Sequence, residues 1–366
     1  MGRVTLDENA RVFGRARRYH RFMLPPLPRA LAVLTVGLAV LTPSTSAIEA
    51  ALEPAVFLRN YGGFSANDLA RAAGGTAVAR SLVADPDEVA IAGAVFMAVS
   101  RPFFVERFRD IAAFKRAPAV LSIGRFSSPP SAADMRAFML DDGDVSTLRR
   151  CKPGDCDMRL DGAGMARVQA ALKGSGGVGG ATEALREHLA AYAADYMARG
   201  DAAVMEYHDD SRPRRISTDL GPILRRSPYL DHELSAIRGD IAAFAGISKS
   251  TNDHMLYWSV EKIASTAVIS LTHVIMSAPE PGLTAIATRQ IYASHFFHAS
   301  LGLTLVADAT GTGGPGVTVI YVNRSRVDAF SGLLGPVKRA AVRSRGRTTT
   351  ERLLSGLRSR LEGAKK

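Results

Sequence analysis

The chain has 366 residues, 47% hydrophobic and 7% aromatic, enough for one large or two small domains and unlike a disordered chain. Its net charge of +11 is uneven: residues 1–29 hold seven Lys/Arg against two acids, residues 324–366 hold twelve against three, and the body between is slightly acidic. The basic pI therefore reports two basic termini rather than a nucleic-acid-binding domain, and two cysteines exclude a disulfide scaffold and a Cys/His zinc cluster.

At the N-terminus, Arg15, Arg17, Arg18, Arg21 and Arg29 precede an uncharged run, Ala30–Leu41, and Thr45 and Ala47 are small residues placed for cleavage after Ala47. This is the pattern of a secretory signal peptide over 1–47, too short to favour a membrane span; an uncleaved anchor and a buried apolar helix are the alternatives, and Met23 is a second candidate start. The expected destination is the periplasm or the exterior. Residues 48–87 read as a helical, Ala-rich segment broken at Gly62-Gly63 and Gly74-Gly75, with Ser65 capping a short helix Ala66–Ala73.

Glu88–Ser100 reads as a strand with Ile91, Gly93, Val95, Met97 and Val99 on one face. Pro102 opens a helix with Phe104, Phe108, Ile111 and Lys115 at helical spacing, and Val120–Phe126 reads as a short strand. Helices are expected at Ala132–Leu140, Ala163–Leu172 and Thr182–Arg199, the last stopped by Gly200. The glycine-rich 174–180 reads as a flexible loop and not a phosphate loop, since no Lys-Ser/Thr follows and no strand precedes it. Ala202–Tyr207 reads as a strand, Asp231–Ala245 as a helix and Met255–Lys262 as a strand carrying the only tryptophan, Trp258. From Ala267 to Val322 three apolar, β-branched runs are separated by the turn clusters 279–282 and 311–316, the signature of an antiparallel meander.

The expected fold is α+β: a curved antiparallel sheet with helices packed on one face, in a domain at 88–335 with a helical excursion at 128–199. A basic tail, 336–366, holds an amphipathic helix near Thr350–Glu362. Its stripe of Leu353, Leu354, Leu357 and Leu361, flanked by Arg352, Arg358 and Arg360, either docks on the sheet or lies on an anionic membrane surface.

The stretch EVAIAGAVFMAVSRPFFVERFRDIAAF (88–114), followed by the meander at 267–322, resembles the helix-grip fold of the START lipid-binding superfamily, which also holds polyketide cyclases and aromatase-type proteins. The resemblance spans roughly 88–345. The excursion is longer than that pattern, and Gly332, Gly335 and Pro336 fall where a long gripping helix is expected. The resemblance implies a cavity between sheet and helices.

Three functional classes follow. The leading one is an exported, non-catalytic protein that binds a lipid or other hydrophobic small molecule, with no cofactor and no nucleic-acid partner. The others are a cyclase- or hydrolase-like enzyme on the same cavity and a cell-envelope protein with a packed core. Candidate cavity residues are His273 and Arg289, read as near-opposite across the 279–282 turn, with His295, Tyr257, Trp258 and Glu261. His273 and Arg289 read equally as core residues. Trp258 with Leu256 and Val260 reads as core, which turns Tyr257, Ser259 and Glu261 to the other face. His295 and His298 share a face only in a helix, so no metal site is expected in a strand. Cys151 and Cys156, flanking Lys-Pro-Gly-Asp, read as a disulfide closing a tight turn, with a redox or metal pair as the alternative.

Overall fold

The structure, a computed structural model, describes residues 52–311, 314–328 and 335–365. The signal segment expected at 1–47 and Gly332 lie outside them.

The described chain opens with α1 (Pro54–Gly62) and α2 (Ala66–Ala73). Ser65 caps α2 as expected: its hydroxyl accepts from the Asp68 N–H, and the Asp68 carboxylate accepts from the Ser65 N–H, closing a capping box. Next come β1 (Val78–Ser81), β2 (Glu88–Met97), α3 (Arg101–Arg109), α4 (Ile111–Phe114) and β3 (Val120–Arg125). The middle of the chain holds α5 (Asp142–Arg150), α6 (Gly162–Lys173), α7 (Gly177–Arg199), β4 (Glu206–Tyr207), β5 (Arg214–Arg215), α8 (Ile216–Arg225), α9 (Tyr229–His232) and α10 (Ser235–Ala242). Then follow β6 (Asp253–Ile263), β7 (Thr266–Ser277), β8 (Leu283–Ala293), β9 (Phe297–Gly311), β10 (Gly314–Val327) and α11 (Gly335–Ala364).

Eight strands form one antiparallel sheet in the order β1-β2-β10-β9-β8-β7-β6-β3. The first long strand, β2, therefore pairs with the last, β10, while the meander fills the space between. Helices cover both faces of the sheet, not one as expected. Even-numbered β2 residues Ala92 and Ala94 pack with Trp258, Ile269, Leu271, Ile291 and the apolar sides of α1 and α5–α10. Val95, Met97, Val274, Ile286, Val306 and Val319 pack with Phe104, Phe108 and Ile111 and with Leu354, Leu357 and Leu361 of α11. The cause is legible in β8, where ten of eleven positions are buried: a strand apolar on both sides needs a cover on both sides.

The leucine stripe of α11 thus docks on the sheet, apart from Leu353, which stays 55% exposed. Gly93 permits the close crossing, since a Cβ there would lie 2.8 Å from both Thr350 Cγ2 and Leu354 Cδ1.

Several local expectations change. The long apolar run after Leu283 contains a third turn, Ser294–Phe296, with Phe296 at φ 62°, so the meander has four strands. No glycine or proline marks that turn. Ala132–Leu140 forms only a 3-10 turn at Ala132–Met135; Met135, Phe138 and Leu140 are all buried, a spacing that no single helix face presents. The loop expected at 174–180 turns helical at Gly177, which begins α7. The strand expected at Ala202–Tyr207 shrinks to Glu206–Tyr207, paired with β5. The helix expected at Asp231–Ala245 divides into α9 and α10, and β1 adds an edge hairpin on β2.

Candidate ligand-binding face

Alternation along β6 places Tyr257, Ser259 and Glu261 on the α11-side face and Trp258 on the other, as expected. The ladder then sets polar residues side by side in strands that are otherwise apolar: Thr272 opposite Tyr257, Ser270 opposite Ser259, Gln290 opposite Thr272. On the far strands Thr304 faces Tyr321, and Ser300 faces Ser325. The α11-side face is therefore divided. One half is apolar beneath α3, α4 and the C-terminal turns of α11; the other is lined by hydroxyl and amide groups.

Much of this polar half is bonded within itself. Gln290 Nε2 donates to Ser270 Oγ at 3.1 Å, Ser259 Oγ donates to Glu261 Oε1 at 2.9 Å, and Ser325 Oγ donates to Asn323 Oδ1 at 2.9 Å. One group is left over: the Gln290 side-chain oxygen is buried and has no hydrogen-bond partner among the described residues. Lys115, just past α4, reaches in from the rim. Its Nζ donates to Glu261 at 2.7 Å and to the Tyr257 hydroxyl at 3.3 Å. Burial works to lower the Lys115 pKa, but Tyr257 and Glu261 outweigh it and hold it raised. Burial acts against the Glu261 carboxylate too, yet the facing ammonium keeps its pKa lowered. Burial pushes the Tyr321 phenol up to about 12. The set is thus a charged pair at the rim of a hydroxyl-rich floor.

His273 and Arg289 stand directly opposite each other in the β7–β8 ladder, as the turn at 279–282 implied. They lie on the other face of the sheet, each 0% exposed beneath the middle helices. His254 Nδ1 and His273 Nε2 are hydrogen-bonded at 2.8 Å, His273 Nδ1 and the Tyr196 hydroxyl at 2.9 Å, and His254 Nε2 lies 3.7 Å from Asp240. Burial, then the neighbouring His254 and Arg289, holds the His273 pKa well below the usual histidine range. Arg289 Nη1 donates to the Ile241 carbonyl at 3.3 Å and lies 2.7 Å from Asp201 Oδ1, a close ion pair short of hydrogen-bond alignment. These groups join α7, α10 and the segment after α7 to β6, β7 and β8. A cleft of about 630 Å³ at Phe126, Ser128, Met197 and Ile247 touches His254. Its Nδ1 is engaged by His273, and its Nε2, which has no hydrogen-bond partner among the described residues, is buried.

His295 joins neither set. It sits in the β8–β9 turn rather than in a strand, 3.1 Å from Asp144 Oδ1, on a cavity of about 690 Å³ rich in aspartates with Arg159 among them. No group of three or more metal-ligating side chains occurs among the described residues. Cys151 and Cys156 form a disulfide closing the turn at 152–155, and this turn also borders the aspartate-rich cavity. Trp258 is 0% exposed, and its indole N–H donates to the Asp134 carbonyl at 2.9 Å.

A scan of the sequence against protein-family models finds no match, and a search of curated proteins finds none. The face must therefore be read from its own chemistry. In sequence Lys115 is one more position of a helical stripe, and Gln290 and Tyr321 are not among the candidate residues. The signal that finds Gln290 is period-two polarity, shared with Ser259, Ser270, Thr272 and Thr288 of strands that are otherwise apolar.

Proposed function

We propose that this chain is an exported, non-catalytic binding protein that holds an amphipathic small molecule, such as a lipid with a polar head, between the α11-side face of the sheet and helices α3, α4 and α11. The unpartnered Gln290 oxygen carries this reading. A buried acceptor without a donor costs about 1–3 kcal/mol, which a ligand hydroxyl or amide would relieve. The apolar half of the same face, Val274, Ile286, Val306 and Val319, is covered by α3, α4 and α11, so a hydrocarbon body would reach it only by parting those helices.

Three further observations support it. The order β2, α3, α4, the meander and α11 supports the helix-grip resemblance raised by the sequence. Tyr321 on β10 also feels the charges of Lys115 and Glu261, although three strands separate β10 from β6. In a flat sheet four strand spacings would hold β10 and β6 roughly 19 Å apart. Such coupling suits a sheet curved around this face. The Cys151–Cys156 bridge suits an oxidising compartment and hence export.

The test is native mass spectrometry of protein purified from its own host, followed by extraction and identification of whatever leaves on denaturation. A small molecule with both a polar group and an apolar body is expected, and Gln290→Leu is expected to lower its occupancy without loss of folding. A ligand-free protein that also fails to bind an environment-sensitive fatty-acyl probe overturns the reading.

A further inference from the structure

A second surface carries information of its own. Helix α11 runs for 30 residues, about 45 Å of continuous helix. Its inner side is consumed by the sheet through Leu354, Leu357 and Leu361. Its two acids are turned inward as well. Glu351 accepts from the Ala79 N–H at 3.1 Å, and Glu362 accepts from the Ala98 N–H at 2.8 Å and from Arg358 at 3.0 Å. The outer side is left with cations alone. Arg345, Arg352 and Arg360 are exposed, and none has an ion pair among the described residues. Arg352 and Arg360 donate to backbone carbonyls instead.

The same side holds two apolar residues left exposed among the described residues, Val342 at 40% and Leu353 at 55%. They are eleven residues apart in the sequence, about three turns, so they project in nearly the same direction with Arg345, Arg352 and Arg360 beside them. Uncompensated positive charge flanking isolated apolar side chains, on a straight and rigid edge, is the chemistry of an anionic lipid surface. A nucleic acid would use the arginines but has no use for Val342 and Leu353.

We propose that the outward side of α11 docks this protein on an anionic lipid bilayer. The helix stays on the sheet; arginines meet phosphate headgroups while Leu353 and Val342 enter the boundary layer. No helix among the described residues is long and apolar enough to cross a membrane, so the contact is peripheral.

The experiment is flotation of the full chain with vesicles of phosphatidylcholine alone and of phosphatidylcholine mixed with phosphatidylglycerol. Binding is expected only to the anionic vesicles and is expected to weaken with salt. Arg345→Gln/Arg352→Gln/Arg360→Gln should weaken it about fivefold per charge removed, about a hundredfold together. Arg149→Gln/Arg150→Gln, on α5, should leave it unchanged. Val342→Ser/Leu353→Ser, which keeps every charge, should weaken it independently of the arginines. Equal binding of the triple variant and the unaltered chain would place the contact on the basic N-terminus and overturn the proposal. So would absence of binding to anionic vesicles, a serine pair that binds as before, or duplex DNA that binds more tightly than vesicles at equal phosphate.

Discussion

The arginine at the centre of the sheet offers the sharpest test of how this fold is held together. Arg289 is 0% exposed, yet its guanidinium meets only the Ile241 carbonyl and Asp201, while Nε and Nη2 have no partner among the described residues. The Asp201 side chain is 25% exposed, so water reaches part of it. The two members of the pair are therefore unequal. Asp201→Ala leaves a buried cation with one neutral acceptor and is expected to cost about 3–5 kcal/mol. Arg289→Met removes the cation, fills its volume with apolar atoms and leaves a carboxylate that water can solvate; its expected cost stays within about 1 kcal/mol. The double variant should resemble Arg289→Met rather than the sum of the two. Urea unfolding followed by circular dichroism gives all three values from the midpoints and slopes. If Arg289→Met proves as damaging as Asp201→Ala, the arginine is a net stabiliser and the argument from its unpartnered nitrogens is wrong.

Three other outcomes follow from the structure. Burial depresses His273 and His254, and burial with Arg159 takes His298 down to about 3. The unfolded chain takes up these protons near its ordinary histidine pKa while the fold resists them. Stability is therefore full above about pH 6.5 and falls below it, by up to about 1.4 kcal/mol per pH unit for each histidine; urea midpoints that stay level from about pH 7.5 to about pH 5 would contradict this. Cys151→Ser/Cys156→Ser should lose roughly 2 kcal/mol for so short a loop, and a thiol label on denatured, unreduced protein should find no free thiol. Gly200 ends α7 at φ 62° with its α-carbon against the Phe244 carbonyl, which a Cβ would overlap. Gly200→Ala is expected to cost on the order of 3 kcal/mol, read as a fall in melting temperature; an unchanged melt would show that the segment relaxes freely.

What the sequence determined by itself was what rests on strong local signals: caps, helix stops and glycine- or proline-rich turns. Ser65 followed by Asp68 closes a capping box in any context, Gly200 stops a helix, and Pro102 enters a helix only in its first turn. Turn clusters at 279–282 and 311–316 fixed two hairpins, and with the first of them the pairing of His273 with Arg289. The cysteines five apart could close only one turn. The turn at Ser294–Phe296 carries no such chemistry, and His295 was misplaced with it.

Only the tertiary structure decided which face each pair occupies. Alternation assigns residues to two sides but is symmetric between them, so whether His273 and Arg289 or Tyr257 and Glu261 meet a cavity depends on what packs above each side. The middle helices came to lie on one side and α3, α4 and α11 on the other. That choice buried His273 and Arg289 beneath the middle helices and drew Lys115 onto Glu261. It also turned the leucine stripe of α11 inward and its arginines outward. Each of these contacts is long-range in the chain, and nothing within a window of a few residues encodes it.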